Sequence, residues 1–333
     1  MSLPLEGFKH LIEPVRDPRF DGWLEHPDVL HVVRVQDAEG RKQSVTIGSV
    51  HVADPDMWYY KVGSELFDAW RRETQGRPRV MVVEGSQTAQ KRYGRTADES
   101  IRRYHSELGL LNFWSDQYGI PVLPGEPPGY QELSILLKRA EEGWYTADDV
   151  LFYYGSRELP VWYRMAHPKP ELSVYMTAVM ALYQRQLRLE GGAALEHDFS
   201  YAAYEQLHRD RLGFLPQSNP KRVDPATGLE LETLYLQLTT AFARPDQPAT
   251  AMTRVSRHCL DIRDRFKALQ WWKLWHLRGR SVFKWEGLHH TLATARIYTR
   301  TARLRLDEPP GGAYVLAQDQ HIGQLLAPTV ASA

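Results

Sequence analysis

The chain has little cysteine, no long apolar run and no excess of either charge. Its single cysteine, Cys259, excludes an intramolecular disulfide and a thiolate-rich metal site, and is expected to be a small buried residue on a helix. The sequence contains no run of about 18 apolar residues, which a transmembrane helix would need. The first seven residues lack the basic and apolar regions of a secretory signal. Because 41 basic residues balance 41 acidic ones, no basic surplus favours nucleic acid. We therefore expect a cytoplasmic protein that binds neither membrane nor nucleic acid.

Apolar and turn-forming residues are arranged as alternating strands and helices. The β-rich runs 30–36 and 42–47 flank a short loop with glycine and predict a hairpin. A helix follows, with Trp70 on its apolar face, and closes at Gly76 and Pro78. An apolar strand at 80–84, a helical stretch at 98–118 and a short strand at 120–123 come next. This alternation predicts an α/β fold, with a mixed, mainly parallel central sheet flanked by helices and a large helical insertion.

The predicted insertion divides the sheet-forming sequence into two parts. Residues 1–129 form the first part of the α/β core, and the aromatic-rich, mostly helical segment 130–250 forms an insertion or cap. Residues 251–333 complete the core with a long amphipathic helix at about 250–278 and strands at 281–286 and 313–316. A short apolar helix is expected near 321–327.

Three of the predicted strands end next to a polar side chain that can carry chemistry. These side chains are His51, Glu84 and His290, and a glycine lies close to each in the sequence. Sites in open α/β sheets form beyond the carboxyl ends of the strands, so the three are expected to converge. Two imidazoles and a carboxylate suit a divalent metal that activates water, or a metal-free general base with its orienting partners.

The order of these motifs resembles that of the erythromycin esterase/ChaN/Tiki (TraB-like) superfamily. Gly48-Ser-Val-His51 and Gly287-Leu-His-His290 resemble its two Gly-x-x-His elements, and Val82-Val-Glu-Gly85 resembles its glutamate-bearing strand. Between these elements, the segment from Ser106-Glu107 to Leu111 resembles the family's next helix, and Gly119 to Pro128, with Glu126, resembles its strand and Glu-Pro turn. Ile262-Arg263-Asp264 resembles the Arg-Asp helix that precedes the last active-site strand. Together the similar segments cover about 44–130 and 255–298.

The resemblance implies a role for each matching residue. His51, Glu84 and His290 would form the catalytic centre or the ligand set of a manganese, cobalt, iron or zinc ion, and Arg263 would point at a substrate carbonyl or carboxylate. The alternative for Arg263 is an ion pair with Asp264 or another carboxylate on a solvated helix face. The candidates for substrate binding are Glu126, Glu107, His289 and Tyr93. Because His289 precedes His290 directly, either ring could face the site.

Three functions are compatible with this pattern. The first is hydrolysis of an ester, lactone or amide in a small molecule or peptide. The second is a cyclisation, elimination or group transfer in biosynthesis, with the same acid–base groups and a substrate selected by the 130–250 segment. The third is haem or small-ligand binding at His289 and His290, because ChaN-like proteins are associated with haem. The near-zero net charge and the tryptophan-rich sequence also suggest a homo-oligomer.

Overall fold

A computed structural model describes residues 29–37, 39–85, 93–104, 106–127, 129–163, 165, 168–190, 197–239, 250–288, 290–291, 294 and 313–317. The backbone separates into two compact units, Met1–Pro127 with Arg263–Ala333, and Pro128–Ile262. The boundary between Ile262 and Arg263 lies inside the long helix expected at about 250–278, whereas the sequence analysis ends the insertion at 250, where this helix begins. Among the described residues, no helix is long and apolar enough to cross a membrane.

The first unit contains the α/β fold that the sequence predicts. Its described residues contain six strands: β1 (Val29–Gln36), β2 (Gln43–Ser49), β3 (Arg79–Val83), β4 (Val122–Pro124), β5 (Ser281–Gly287) and β6 (Ala313–Ala317). They form one sheet in the order β4-β3-β5-β2-β1-β6. The strands β4, β3, β5 and β2 are parallel, whereas β1 pairs antiparallel with β2, as the predicted hairpin requires, and with β6.

Both faces of the parallel part of the sheet are covered, which explains why β3 is apolar from Val80 to Val83. One face packs Ile47, Phe283 and Trp285 beneath α1 (Trp58–Glu73) and α3 (Glu107–Tyr118). The other face packs apolar residues of the strands against Trp271 and Trp275. These two tryptophans lie at the end of α9 (Ala251–Trp272) and in the π-helical turn Lys273–Leu277.

The stretch expected to form one helix at 98–118 is instead two helices. The first is α2 (Ala97–Arg103), and the second is α3. Ser106, which precedes α3, has a φ of 59°, so its left-handed backbone interrupts the helical path. A side chain at Gly109 would overlap the carbonyl of Ser100, so this glycine lets the two helices pack closely.

The second unit is helical, in agreement with the prediction for 130–250. It contains α4 (Gly129–Glu141), α5 (Ala147–Tyr163), α6 (Leu172–Glu190), α7 (Tyr201–Leu212), α8 (Leu231–Leu238) and the first half of α9. These helices share an aromatic core of their own, and Cys259 is buried in it as expected. The short helix expected near 321–327 lies outside the described residues.

Candidate functional site

The carboxyl ends of the four parallel strands meet at one edge of the sheet and bring the predicted side chains together. His51 follows β2, Glu84 follows β3, Glu126 follows β4 and His290 follows β5. Because β3 and β5 are neighbours, Glu84 reaches the turn after β5, where one of its oxygens accepts a 2.5 Å hydrogen bond from the Gly287 amide. The predicted convergence is thus a property of strand order, since 203 residues separate Glu84 from Gly287 in the sequence.

His51 lies between two carboxylates. Its Nδ1 is 2.5 Å from Glu107 Oε1, and its Nε2 is 3.3 Å from Glu84 Oε2. Burial by itself lowers the pKa of His51, but attraction to the Glu107 carboxylate and hydrogen bonds to Glu107 and Glu84 outweigh it, so the pKa lies well above 6.5. The side chain of His51 is 43% exposed, against 11% for Glu84 and 4% for Glu107. Of these three groups, His51 is therefore the one that solvent or a substrate can reach.

Two tyrosines of α1 fix the backbone on either side of His51. The hydroxyl of Tyr59 donates to the carbonyl of Val50 at 3.1 Å, and that of Tyr60 donates to the carbonyl of Val52 at 2.6 Å. Both tyrosines are buried in the core under the sheet. The histidine is therefore carried on a short loop whose two neighbouring peptide groups are tied to a rigid helix.

His290 lies deeper than His51 and contacts the same central carboxylate. Its Nε2 is 3.0 Å from Glu84 Oε1, and its Nδ1 is 2.5 Å from Asp264 Oδ1 on α9. The side chain is fully buried. Glu84 therefore bridges the Nε2 atoms of both histidines, while Asp264 and Glu107 hold their two Nδ1 atoms. The result is a chain of three carboxylates and two imidazoles.

Arg263 is held by acidic side chains. Its Nε and Nη2 contact the two carboxylate oxygens of Glu126 at 2.7 and 2.6 Å, and Nη2 also lies 2.7 Å from Glu84 Oε1. A two-pronged pair of this kind fixes the guanidinium plane. Arg263 thus forms an ion pair, as its alternative assignment predicted, but with buried carboxylates of the strand edge rather than on a solvated helix face.

Lys267, one helical turn beyond Arg263, brings a second cation to the same oxygens. Its ammonium is fully buried and lies 3.4 Å from Glu84 Oε1, 3.0 Å from Glu126 Oε1 and 3.4 Å from Glu286 Oε2. Burial opposes ionisation of Glu84, but Lys267 and His290 outweigh it and hold the pKa of Glu84 well below 4.5. Burial likewise opposes ionisation of Glu126, and Arg263 and Lys267 lower its pKa. Both glutamates are therefore carboxylates at neutral pH.

The side chains that converge like metal ligands differ from the expected set. Among the described residues, Glu84, Glu126 and His290 place one potential ligand atom each within 4.8 Å of one another, and His51 is not part of this group. The oxygens that would face an ion already contact Arg263 and Lys267. A divalent ion there would be repelled by two fixed positive charges. The donor set as it stands therefore does not fit a resident divalent metal.

Two predicted substrate-binding residues, Tyr93 and His289, are not part of the cluster formed by the described residues. A hydrogen bond to Asp116 raises the pKa of Tyr93. Asp116 is nine residues along α3 from Glu107, which is about 13 Å of helix, so a substrate-binding role for Tyr93 stays a prediction. His289 lies outside the described residues.

Sequence reasoning missed three members of the cluster or gave them no role in it. Asp264 was considered only as a partner of Arg263, and Lys267 and Glu286 were not considered at all. Lys284 and Glu286 alternate with apolar residues in the buried strand β5, and Lys284 Nζ lies 2.9 Å from Glu286 Oε2. Charged residues at alternate positions of a buried central strand are rare unless paired, and this signal could have pointed to the cluster.

Comparison of the chain with protein-family models, with curated proteins and with solved structures finds no match. The arrangement of the side chains themselves is therefore the basis for assigning a function.

Proposed function

We propose that this protein is an acid–base enzyme that hydrolyses an ester, lactone or amide, with His51 as the group that exchanges a proton with water and substrate. The observation that carries the proposal is the position of His51. It is exposed to solvent, whereas its Nδ1 is held at 2.5 Å by the buried carboxylate of Glu107. A carboxylate on Nδ1 fixes the ring and its tautomer, and Nε2, which lies 3.3 Å from Glu84, is the nitrogen that would exchange the proton.

In the proposed reaction the Nε2 of neutral His51 removes a proton from a water molecule. The oxygen of that water forms a bond to the carbonyl carbon, and the carbonyl oxygen takes the electron pair as an oxyanion. Collapse of the intermediate breaks the bond to the leaving oxygen or nitrogen, which receives the proton from His51. The fixed charge of Arg263 beside Glu84 would stabilise the oxyanion, and Glu84 with His290 and Asp264 would hold the imidazole chain in place.

The resemblance to the erythromycin esterase/ChaN/Tiki superfamily supports a proposal of membership. Its matching elements, the two Gly-x-x-His segments and the glutamate-bearing strand, lie on adjacent strands β2, β5 and β3. The charge of the cluster favours metal-free chemistry over the manganese, cobalt, iron or zinc alternative. A small-molecule or peptide substrate and a cytoplasmic location belong to the same proposal, as does assembly into a homo-oligomer.

The raised pKa of His51 favours a second candidate function. An imidazolium at neutral pH is a general acid, and an acid suits the cyclisation, elimination or group transfer of a biosynthetic enzyme. Haem binding receives less support, since both ring nitrogens of the buried His290 face carboxylates. Its other predicted ligand, His289, lies outside the described residues.

Replacement of His51 tests the enzyme proposal. We expect His51→Asn to lower turnover by about 100-fold or more in a panel of esters, lactones and amides, because the proton-transfer group is lost. The control is His276→Asn, which alters an exposed histidine of the π-helical turn and should keep full activity. Full activity of a folded His51→Asn protein would exclude the proposal.

Product mass and pH dependence separate the two candidate reactions. Hydrolysis adds one water to the substrate, whereas cyclisation or elimination does not. If His51 is a base, kcat/KM rises as pH increases through its raised pKa; if it is an acid, kcat/KM falls over the same range.

A further inference from the structure

The ammonium of Lys267 lies where carboxylates and an imidazole would otherwise surround a metal ion. The ligand atoms of Glu84, Glu126 and His290 converge within 4.8 Å, and carboxylates with imidazole are the ligands of many divalent sites. Lys267 Nζ contacts the Oε1 atoms of both glutamates, at 3.4 and 3.0 Å. The buried negative charge that a cation would neutralise is therefore neutralised by the chain itself.

The way α9 presents Lys267 fits this role. Arg263, Asp264 and Lys267 lie on one face of the helix, because residues three and four positions apart are neighbours. Asp264 contacts His290 Nδ1, as the carboxylate partner of a metal-bound histidine commonly does. Lys267 shares the Oε1 atoms of both glutamates with Arg263, but it is fully buried and also reaches Glu286.

Glu286 is a third carboxylate in contact with the ammonium. This carboxylate is fully buried on β5 and lies 3.4 Å from Lys267 Nζ. A buried lysine is tolerated only where carboxylates compensate its lost hydration, and three do so here. The contacts with Glu84, Glu126 and Glu286, at 3.0 to 3.4 Å, place three carboxylates around the ammonium.

We propose that Lys267 is the built-in cation of this site, standing in for a divalent metal, and that its loss would convert the Glu84, Glu126 and His290 cluster into a metal-binding site. In this role Lys267 is a positioning residue: it keeps the two glutamates ionised and close together without touching the substrate. Lys267 would neutralise the charge of the cluster in the same way whichever reaction the enzyme catalyses.

The test compares metal binding by the wild-type protein, Lys267→Met and Lys284→Met. Lys284 is the matched control, because it is also buried and contacts Glu286 at 2.9 Å. Mn²⁺ is titrated into each protein and bound ion is measured by electron paramagnetic resonance, with Zn²⁺ by calorimetry as a second probe. We expect Lys267→Met to bind about one equivalent at least tenfold more tightly than wild type, and Lys284→Met to resemble wild type.

Two further measurements identify the ligands of the bound ion and keep the proposal testable if Lys267→Met folds poorly. Adding Glu126→Gln to Lys267→Met should abolish the acquired binding, since one ligand is then lost. If Lys267→Met is poorly folded alone, Mn²⁺ should raise its Tm while leaving that of wild type unchanged, because an ion that binds only the folded state stabilises it. Equal affinity of Lys267→Met and wild type, or stoichiometric Mn²⁺ binding by wild type, would overturn the proposal.

Discussion

At the scale of single residues, Glu84 determines the character of the site. One oxygen faces His51 and the Gly287 amide, and the other faces His290, with Arg263 and Lys267 also in contact. A carboxylate with so many cationic and donor partners stays ionised although it is almost buried. Its charge in turn favours protonation of His51, so the protonation states of Glu84 and His51 are coupled rather than independent.

The coupling predicts that Glu107 controls the working pH of His51. Glu107→Gln removes the carboxylate whose attraction most strongly raises the pKa of His51, so that pKa should fall towards 6.5. The midpoint of the pH profile of kcat/KM should therefore move to lower pH. Glu65→Gln, on the exposed face of α1, serves as the control. An unmoved midpoint in a folded Glu107→Gln enzyme would mean that His51 is not the titrating group.

At the scale of elements, the sequence predicts the strands better than it predicts what joins them at the site. Apolar runs that end in Glu84 and near His51 and His290 mark β3, β2 and β5, and their alternation with helices correctly indicates a mainly parallel sheet. Contacts such as that between Lys267 and Glu286 depend instead on how α9 lies on β5. Helical periodicity places a charged residue on a face of a helix, but it does not reveal which strand that face meets.

Gly48, in the first Gly-x-x-His element, packs closely against neighbouring residues, which predicts the effect of replacing it. A side chain at Gly48 would place its Cβ 2.5 Å from Thr291 Oγ1 and 3.1 Å from Leu288 Cα, which are helical residues next to His290. Gly48→Ala should therefore displace Leu288 and Thr291, with a loss of about 1–3 kcal/mol of stability and a clear drop in kcat.

The matched control for Gly48→Ala is Gly85→Ala, two residues after the end of strand β3. A Cβ at Gly85 meets only Leu108, at an ordinary 3.7 Å. Urea denaturation and kinetic assays of the two variants make the comparison. Equal stability and activity of both would show that Leu288 and Thr291 can be displaced without consequence for His290.

At the scale of the whole molecule, each compact unit has a buried histidine that must stay neutral. Burial lowers the pKa of His31 on β1 to about 4, and burial also lowers that of His208 on α7 to about 4. His208 is hydrogen-bonded to the Tyr235 hydroxyl at 2.7 Å, whereas Nδ1 of His31 has no hydrogen-bond partner among the described residues. Acid should therefore destabilise the sheet unit and the helical unit separately.

The sign of this effect follows from the direction of the shift. Above pH 6.5 His31 is neutral in both the folded and the unfolded chain; between pH 6.5 and about 4 only the unfolded chain binds the proton, so stability is lost as pH falls. A shift of this size corresponds to about 3 kcal/mol. We expect His31→Leu to lose about that much less free energy of unfolding than wild type between pH 7 and pH 4, since the other acid-sensitive groups are unchanged. Urea denaturation across this range, followed by tryptophan fluorescence, measures the difference, and parallel pH profiles for the two proteins would show that His31 is already protonated when folded.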